Sequence, residues 1–166
     1  VLHTVGPVWE GGDQGEAAEL REAQTLTMSK LPHTGQCVIT DLGEANDIHP
    51  KNKRDVAERL ARWALVNDYG QKLPYRSPEI KDAKFDGGKA LLTFEYAPQG
   101  LRTVDTDEVK GFMICGEDKK WVWATAKIIG NDKVEVSAPG VAKPVAVRYA
   151  WSDNPVCNLY SKDGLP

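Results

Sequence analysis

The feature that most constrains this chain is a change in the period of its apolar residues near Tyr75. Before that point apolar side chains recur about every 3.6 residues, the repeat of a helix face; beyond it they alternate with a period of about 2, the repeat of a strand. One chain therefore carries two kinds of element in series, helices first and strands after, a pattern that suits an α/β piece joined to an all-β piece.

The first part predicts a helix over residues 16–29, with Leu20, Ala23 and Thr27 on one face and charges on the other. Pro32 and Gly35 then break the chain. QCVIT at 36–40 reads as a short apolar strand of the kind buried in a parallel sheet. A polar loop, DLGEANDIHP at 41–50, leads into a second helix over 51–66. Pro50 suits its first position, where an N–H would have no helical partner; Val56, Leu60, Trp63 and Ala64 mark its buried stripe. The Gly-rich stretch over 1–15 reads as irregular chain.

In the second part, Asp86-Gly87-Gly88 is a hairpin turn signal, followed by the alternating Ala90, Leu92, Phe94 and Tyr96. Trp121 and Trp123 share a face, as do Val134 and Val136 after the turn at 130–132. Val145, Val147, Tyr149 and Trp151 line one face of a last strand. Short strands at this spacing predict an antiparallel β-sandwich. The expected division is 1–75 and 76–166.

Composition excludes several classes. Lys and Arg total 21 against 24 Asp and Glu, a net charge of -3, which argues against a nucleic-acid partner. No apolar run approaches the roughly 18–20 residues of a membrane span. The three Cys form no CxxC pair and the three His lie far apart, which argues against a structural zinc site. A disulfide between Cys115 and Cys157 is the one pairing the sequence leaves room for, and Cys37, in its apolar run, reads as core.

The segment with chemical promise is Asp47-Ile48-His49-Pro50. Ligands of open α/β sheets gather beyond the carboxyl ends of the strands, where this loop would lie. A His at a helix start meets the positive end of the dipole, which disfavours imidazolium and leaves the ring available as a base. Asp47, Asp41 or Glu44 would hold the other ring nitrogen. The plainer reading is an exposed loop His beside a helix cap.

The strings LREAQ at 20–24, VITDLGEANDIHPKNKRDVAERLARWAL at 38–65 and VRYAWSDNPVCNLYSKDGLP at 147–166 resemble the sialate O-acetylesterases, carbohydrate esterases of the SGNH hydrolase superfamily. The resemblance covers almost the whole chain. It implies an SGNH-type, flavodoxin-like α/β domain ending in helix–strand–helix and followed by a β-sandwich. It also implies Ser attack on an acetyl ester, with His49 as base and then acid and Asp47 orienting it. The wider superfamily carries its Asp three residues before the His, where Asn46 stands here; Asp41 reads as a structural residue at the strand end. The family's nucleophile lies in a GQSN-like block, with Gly and Asn oxyanion donors in later blocks. None of Ser29, Ser77, Ser137, Ser152 and Ser161 has such a setting. The chain thus reads as the C-terminal portion of a longer esterase, its Ser supplied from outside these residues. The resemblance further implies an O-acetylated sugar, sialic acid above all, as substrate, a periplasmic or secreted location, and no metal or organic cofactor.

Two other readings stand beside it: a non-catalytic β-sandwich accessory or carbohydrate-binding module, and a half-enzyme whose partner chain supplies the Ser. Trp121, Trp123, Tyr149 and Trp151 read as sandwich core before they read as a sugar platform. Arg148, facing the other way, reads as a structural pairing before a carboxylate contact. The charges over 51–59 read as a solvated helix face with i,i+4 pairs.

Overall fold

A computed structural model describes residues 15–166 apart from Asn46 and Ile48; the stretch before Gly15 lies outside the described residues. Among the described residues two helices, α1 (Glu16–Met28) and α2 (Lys53–Asn67), precede every strand. The strands are β1 (Glu79–Asp86), β2 (Lys89–Glu95), β3 (Leu101–Thr103), β4 (Phe112–Cys115), β5 (Val122–Trp123), β6 (Thr125–Ile129), β7 (Lys133–Ser137), β8 (Ala146–Tyr149) and β9 (Leu159–Ser161). Among the described residues all pairings are antiparallel, in sheets ordered β1-β2-β7-β6, β5-β4-β8 and β3-β9. The result is a mixed fold of helices and antiparallel sheets.

Alternation builds the core. Ala90, Leu92 and Phe94 of β2 turn inward together, opposite Val134 and Val136 of β7. Leu101, Phe112, Ile114, Ala126 and Leu159 join them, so strands of all three sheets enclose one apolar cluster. Gly87 and Gly88 close the β1–β2 hairpin with φ of 55° and 78°, the left-handed pair that a two-residue loop demands. β1 is an exposed edge studded with Lys81, Asp82, Lys84 and Asp86, charges that discourage edge-to-edge pairing.

Alternation stops where the backbone turns left-handed. Tyr96 has φ 59° and Ala150 φ 52°, immediately after β2 and β8. Tyr96 and Trp151 therefore do not continue the faces of Phe94 and Tyr149. Of the four aromatics read as core, only Tyr149 packs there, its ring 4.6 Å from Phe112. Trp121 and Trp151 instead flank Arg148, whose guanidinium carbon lies 4.0 and 4.9 Å from their ring centres, and Trp123 is exposed on β5.

The helices form where the period places them, but α1 turns another face inward and α2 keeps Val56, Trp63 and Ala64 half-buried while Leu60 is exposed. In α1 Ala18 is buried and Ala17, Arg21, Gln24 and Met28 are half-buried, while Leu20, Ala23 and Thr27 are exposed. Polar anchors decide this. Asp153 accepts from the Ala17 N–H at 3.0 Å, a cap supplied from far along the chain, and Arg21 Nη2 donates to Ala150 and Ser152 carbonyls at 2.8 Å each. α2 begins at Lys53 rather than near Pro50, because Asn52 caps it by accepting from the Asp55 N–H at 3.1 Å. Pro50 is buried ahead of the helix. Leu60 is 39% exposed and Arg59 takes its place against the rest of the chain at 8%.

Residues 36–40, expected as a strand, join no strand ladder among the described residues. A strand needs a hydrogen-bonding neighbour; here the Val38 carbonyl is taken by Arg59 and the Ile39 carbonyl by the Leu42 N–H. The turn from α1 into this segment passes so close to α2 that a Cβ on Gly35 would lie 2.6 Å from the Trp63 ring. Trp63 meets Tyr75 edge-on at 5.0 Å. Arg76 sits 3.9 Å from the Tyr96 ring centre, donates to its hydroxyl at 2.7 Å and forks onto Glu79, joining the helical part to β1 and β2.

All three cysteines are free, so Cys115 and Cys157 form no disulfide; Cys115 is buried in β4, and Cys37 is only half-buried.

Candidate active site

The loop from Asp41 to Asn52 carries Asp47 and His49, and carboxylates give it its shape. Asp41 opens it. The Arg59 guanidinium grips both Asp41 oxygens at 2.6 Å each and donates to the Val38 carbonyl at 2.7 Å. The pair is largely sheltered from water, with side-chain exposures of 10% and 13%. Burial alone would lower the Arg59 pKa, but the hydrogen bonds and charge of Asp41 outweigh it and hold the guanidinium above its usual range. Tyr160 of β9 meets the same carboxylate; burial, and then the Asp41 charge, push its phenol well above the usual tyrosine range.

Further along, Glu44 and Asp47 form an isolated antiparallel bridge, with the Asp47 N–H donating to the Glu44 carbonyl at 3.3 Å. The Glu44 carboxylate accepts from the Lys51 N–H at 3.1 Å and pairs with its ammonium at 3.4 Å. Asp47 Oδ1 accepts from the main-chain N–H of His49 at 2.8 Å. His49 itself is exposed.

Asp47 and His49 are thus brought together, with Asp47 bracing the His49 backbone in an Asx turn. Asp41, the alternative partner, is engaged by Arg59 and Tyr160. Asn46 lies outside the described residues. Because α2 starts at Lys53, His49 stands outside its first turn, beyond the reach of the dipole effect invoked for it. Two of the serines have structural duties. Ser29 caps α1, donating to Leu26 at 2.7 Å, and the fully buried Ser161 accepts from the Leu165 N–H at 3.2 Å.

A cleft of about 540 Å³ lies between α1, residues 34–41 and the Tyr149–Tyr160 region. Neither His49 nor Asp47 lines it. Its polar groups include Arg21, which burial holds below its ordinary pKa, and Cys157, whose thiol burial pushes up despite hydrogen bonds to Thr40 and Tyr149. Among the described residues no group of His, Cys, Asp or Glu could hold a metal ion, and no helix is long and apolar enough to cross a membrane.

Sequence reasoning missed Arg59, reading it as part of a solvated charge run. That reading holds for its neighbours, since Glu58 pairs with Arg62 at 2.9 Å across i,i+4. The available signal was helical spacing: position 59 falls between Val56 and Trp63 on the inward stripe.

No family model matches the chain. Human sialate O-acetylesterase is 28% identical over 142 residues, covering 79% of this chain and 27% of the human protein. The mouse sialate O-acetylesterase is 30% identical over 148 residues, covering 82% of this chain and 27% of its own length. The crystal structure of a carbohydrate acetylesterase from Xanthomonas citri superposes with a TM-score of 0.91 at 46% identity, over 99% of this chain and 38% of that one. The chain is related to the sialate O-acetylesterases. It spans about a quarter of the length of these curated esterases, 27% in both cases, and the esterase relationship runs through helices and sheets alike.

Proposed function

We propose that this chain is the base-bearing C-terminal portion of a carbohydrate O-acetylesterase, with sialic acid as the favoured acetylated sugar. In this reading 1–75 ends an SGNH-type α/β domain, 76–166 is a β-sandwich, and the enzyme works in the periplasm or outside the cell. The observation that carries it is the pairing of an exposed His49 with an Asp47-braced loop in a chain 46% identical to a carbohydrate acetylesterase.

The chemistry follows from that pair. A Ser outside these residues gives its hydroxyl proton to His49 as its oxygen attacks the acetyl carbonyl. The tetrahedral intermediate collapses, and the sugar oxygen leaves with the proton from the imidazolium. Water then attacks the acetyl-enzyme, again losing a proton to His49, and acetate departs as the Ser recovers its hydrogen. Asp47 orients His49. Neither a metal nor an organic cofactor enters these steps.

In the full-length protein, His49→Ala should lower kcat on O-acetylated sialic acid by about 10³-fold or more, with KM changing less. Asp47→Asn should cost less than His49→Ala. Near-normal turnover by the His49→Ala protein would refute the base assignment. The exposure of Trp123 beside the Trp121–Arg148–Trp151 stack favours a second reading, a sugar-binding accessory module. Under that reading Trp123→Ala abolishes glycan binding while His49→Ala leaves it and turnover untouched.

A further inference from the structure

We infer that Arg59 is a positioning residue for the base, acting through Asp41 on the loop that carries His49; the inference rests on the proposed role of His49. Both ends of that loop are tied to one helix. Its root is Asp41, gripped at 2.6 Å through both oxygens by Arg59 from the middle of α2. Its exit is Asn52, the cap of the same helix, which accepts from the Asp55 N–H at 3.1 Å. Between these ends the Glu44 carboxylate accepts from the Lys51 N–H at 3.1 Å and Asp47 accepts from the His49 N–H at 2.8 Å.

Arg59 is the buried residue of α2, and the third acceptor of its fork is the Val38 carbonyl at 2.7 Å. A planar guanidinium reaches Val38 and both Asp41 oxygens at once, which a lysine ammonium cannot do in the same geometry. Arg59→Lys therefore keeps the charge and loses the alignment. A base displaced by about 1 Å loses roughly 10²-fold in rate, because proton transfer requires hydrogen-bond distance to the Ser.

The test is a double-mutant cycle in the full-length enzyme on O-acetylated sialic acid, with the folded fraction read from far-UV circular dichroism. Arg59→Lys should lower kcat by about 10- to 100-fold with KM within about twofold. In a His49→Ala background the same substitution should cost less than about twofold, because the base it positions is gone. A purely structural Arg59 would repeat its full effect in that background, and this result overturns the inference, as does a normal kcat for Arg59→Lys. If Arg59→Lys fails to fold, Asp41→Asn, which keeps the side-chain shape, completes the same cycle with the same expectations. A slow His49→Ala enzyme beside an unaffected Arg59→Lys enzyme rejects the positioning role alone. Normal turnover by His49→Ala rejects the base assignment and the positioning role with it.

Discussion

Replacing Gly35 by Ala should destabilise the protein through a single collision. The new Cβ would stand 2.6, 2.7 and 2.9 Å from three atoms of the Trp63 ring. Carbon atoms rest comfortably at about 3.5–4.0 Å, so the overlap is close to 1 Å. The ring has little room to yield, since Tyr75 meets it edge-on at 5.0 Å and the Arg76 guanidinium lies 5.7 Å from its centre. Overpacking of this kind costs about 1–3 kcal/mol. Gly35 does not have a positive φ, so Ala meets no backbone strain there and recovers about 0.4–1 kcal/mol by restricting the unfolded chain. The net expectation is a loss of about 1–2 kcal/mol, or a fall in urea midpoint of about 0.5–1 M at ordinary slopes. Urea unfolding followed by far-UV circular dichroism reads it. Trp63→Leu should make the two substitutions strongly non-additive by vacating the contested space. An unchanged or raised midpoint for Gly35→Ala would refute the argument.

The 166-residue chain alone should hydrolyse p-nitrophenyl acetate no faster than its own His49→Ala version, and a clear His49-dependent rate above that background would reject an external Ser. Tyr160 has its pKa raised by burial and then by Asp41, so its contribution to stability is complete below the unfolded-state value of about 10 and is lost as pH climbs through the higher folded value. Urea midpoints taken across that alkaline range should therefore fall less steeply for Tyr160→Phe than for the parent protein. The three thiols should react slowly with an aromatic disulfide in the native state, because Cys115 is buried and burial raises the thiol pKa of both Cys37 and Cys157; all three should react at once in denaturant, and rapid native-state labelling would contradict the packing.

Whatever depends on near neighbours was legible in the sequence. The periods placed α1 and α2 within a few residues of where they lie, and turn chemistry placed the Gly87–Gly88 hairpin and the loop between β6 and β7. The alternation of Ala90, Leu92 and Phe94, and of Val134 and Val136, named much of the core. The proximity of Asp47 to His49 is local too, since an Asx turn joins residues only two apart in sequence.

Tertiary contacts decided the rest. A period says that a helix has a face but not what waits opposite it. Asp153 and the Ala150 and Ser152 carbonyls drew in the Ala18–Arg21 side of α1 and left Leu20 outside; Asp41 drew in Arg59 and left Leu60 outside. Sequence alternation likewise could not reveal that Ala150 turns left-handed and throws Trp151 off the Tyr149 face; there the Ala150 N–H donates to the Gly111 carbonyl at 2.9 Å and the Ala150 carbonyl accepts from Arg21 at 2.8 Å, both contacts with residues far away in sequence. The QCVIT segment has every local property of a strand, yet a strand exists only through its neighbour; among the described residues it joins no ladder, and an arginine fork and a turn take the Val38 and Ile39 carbonyls.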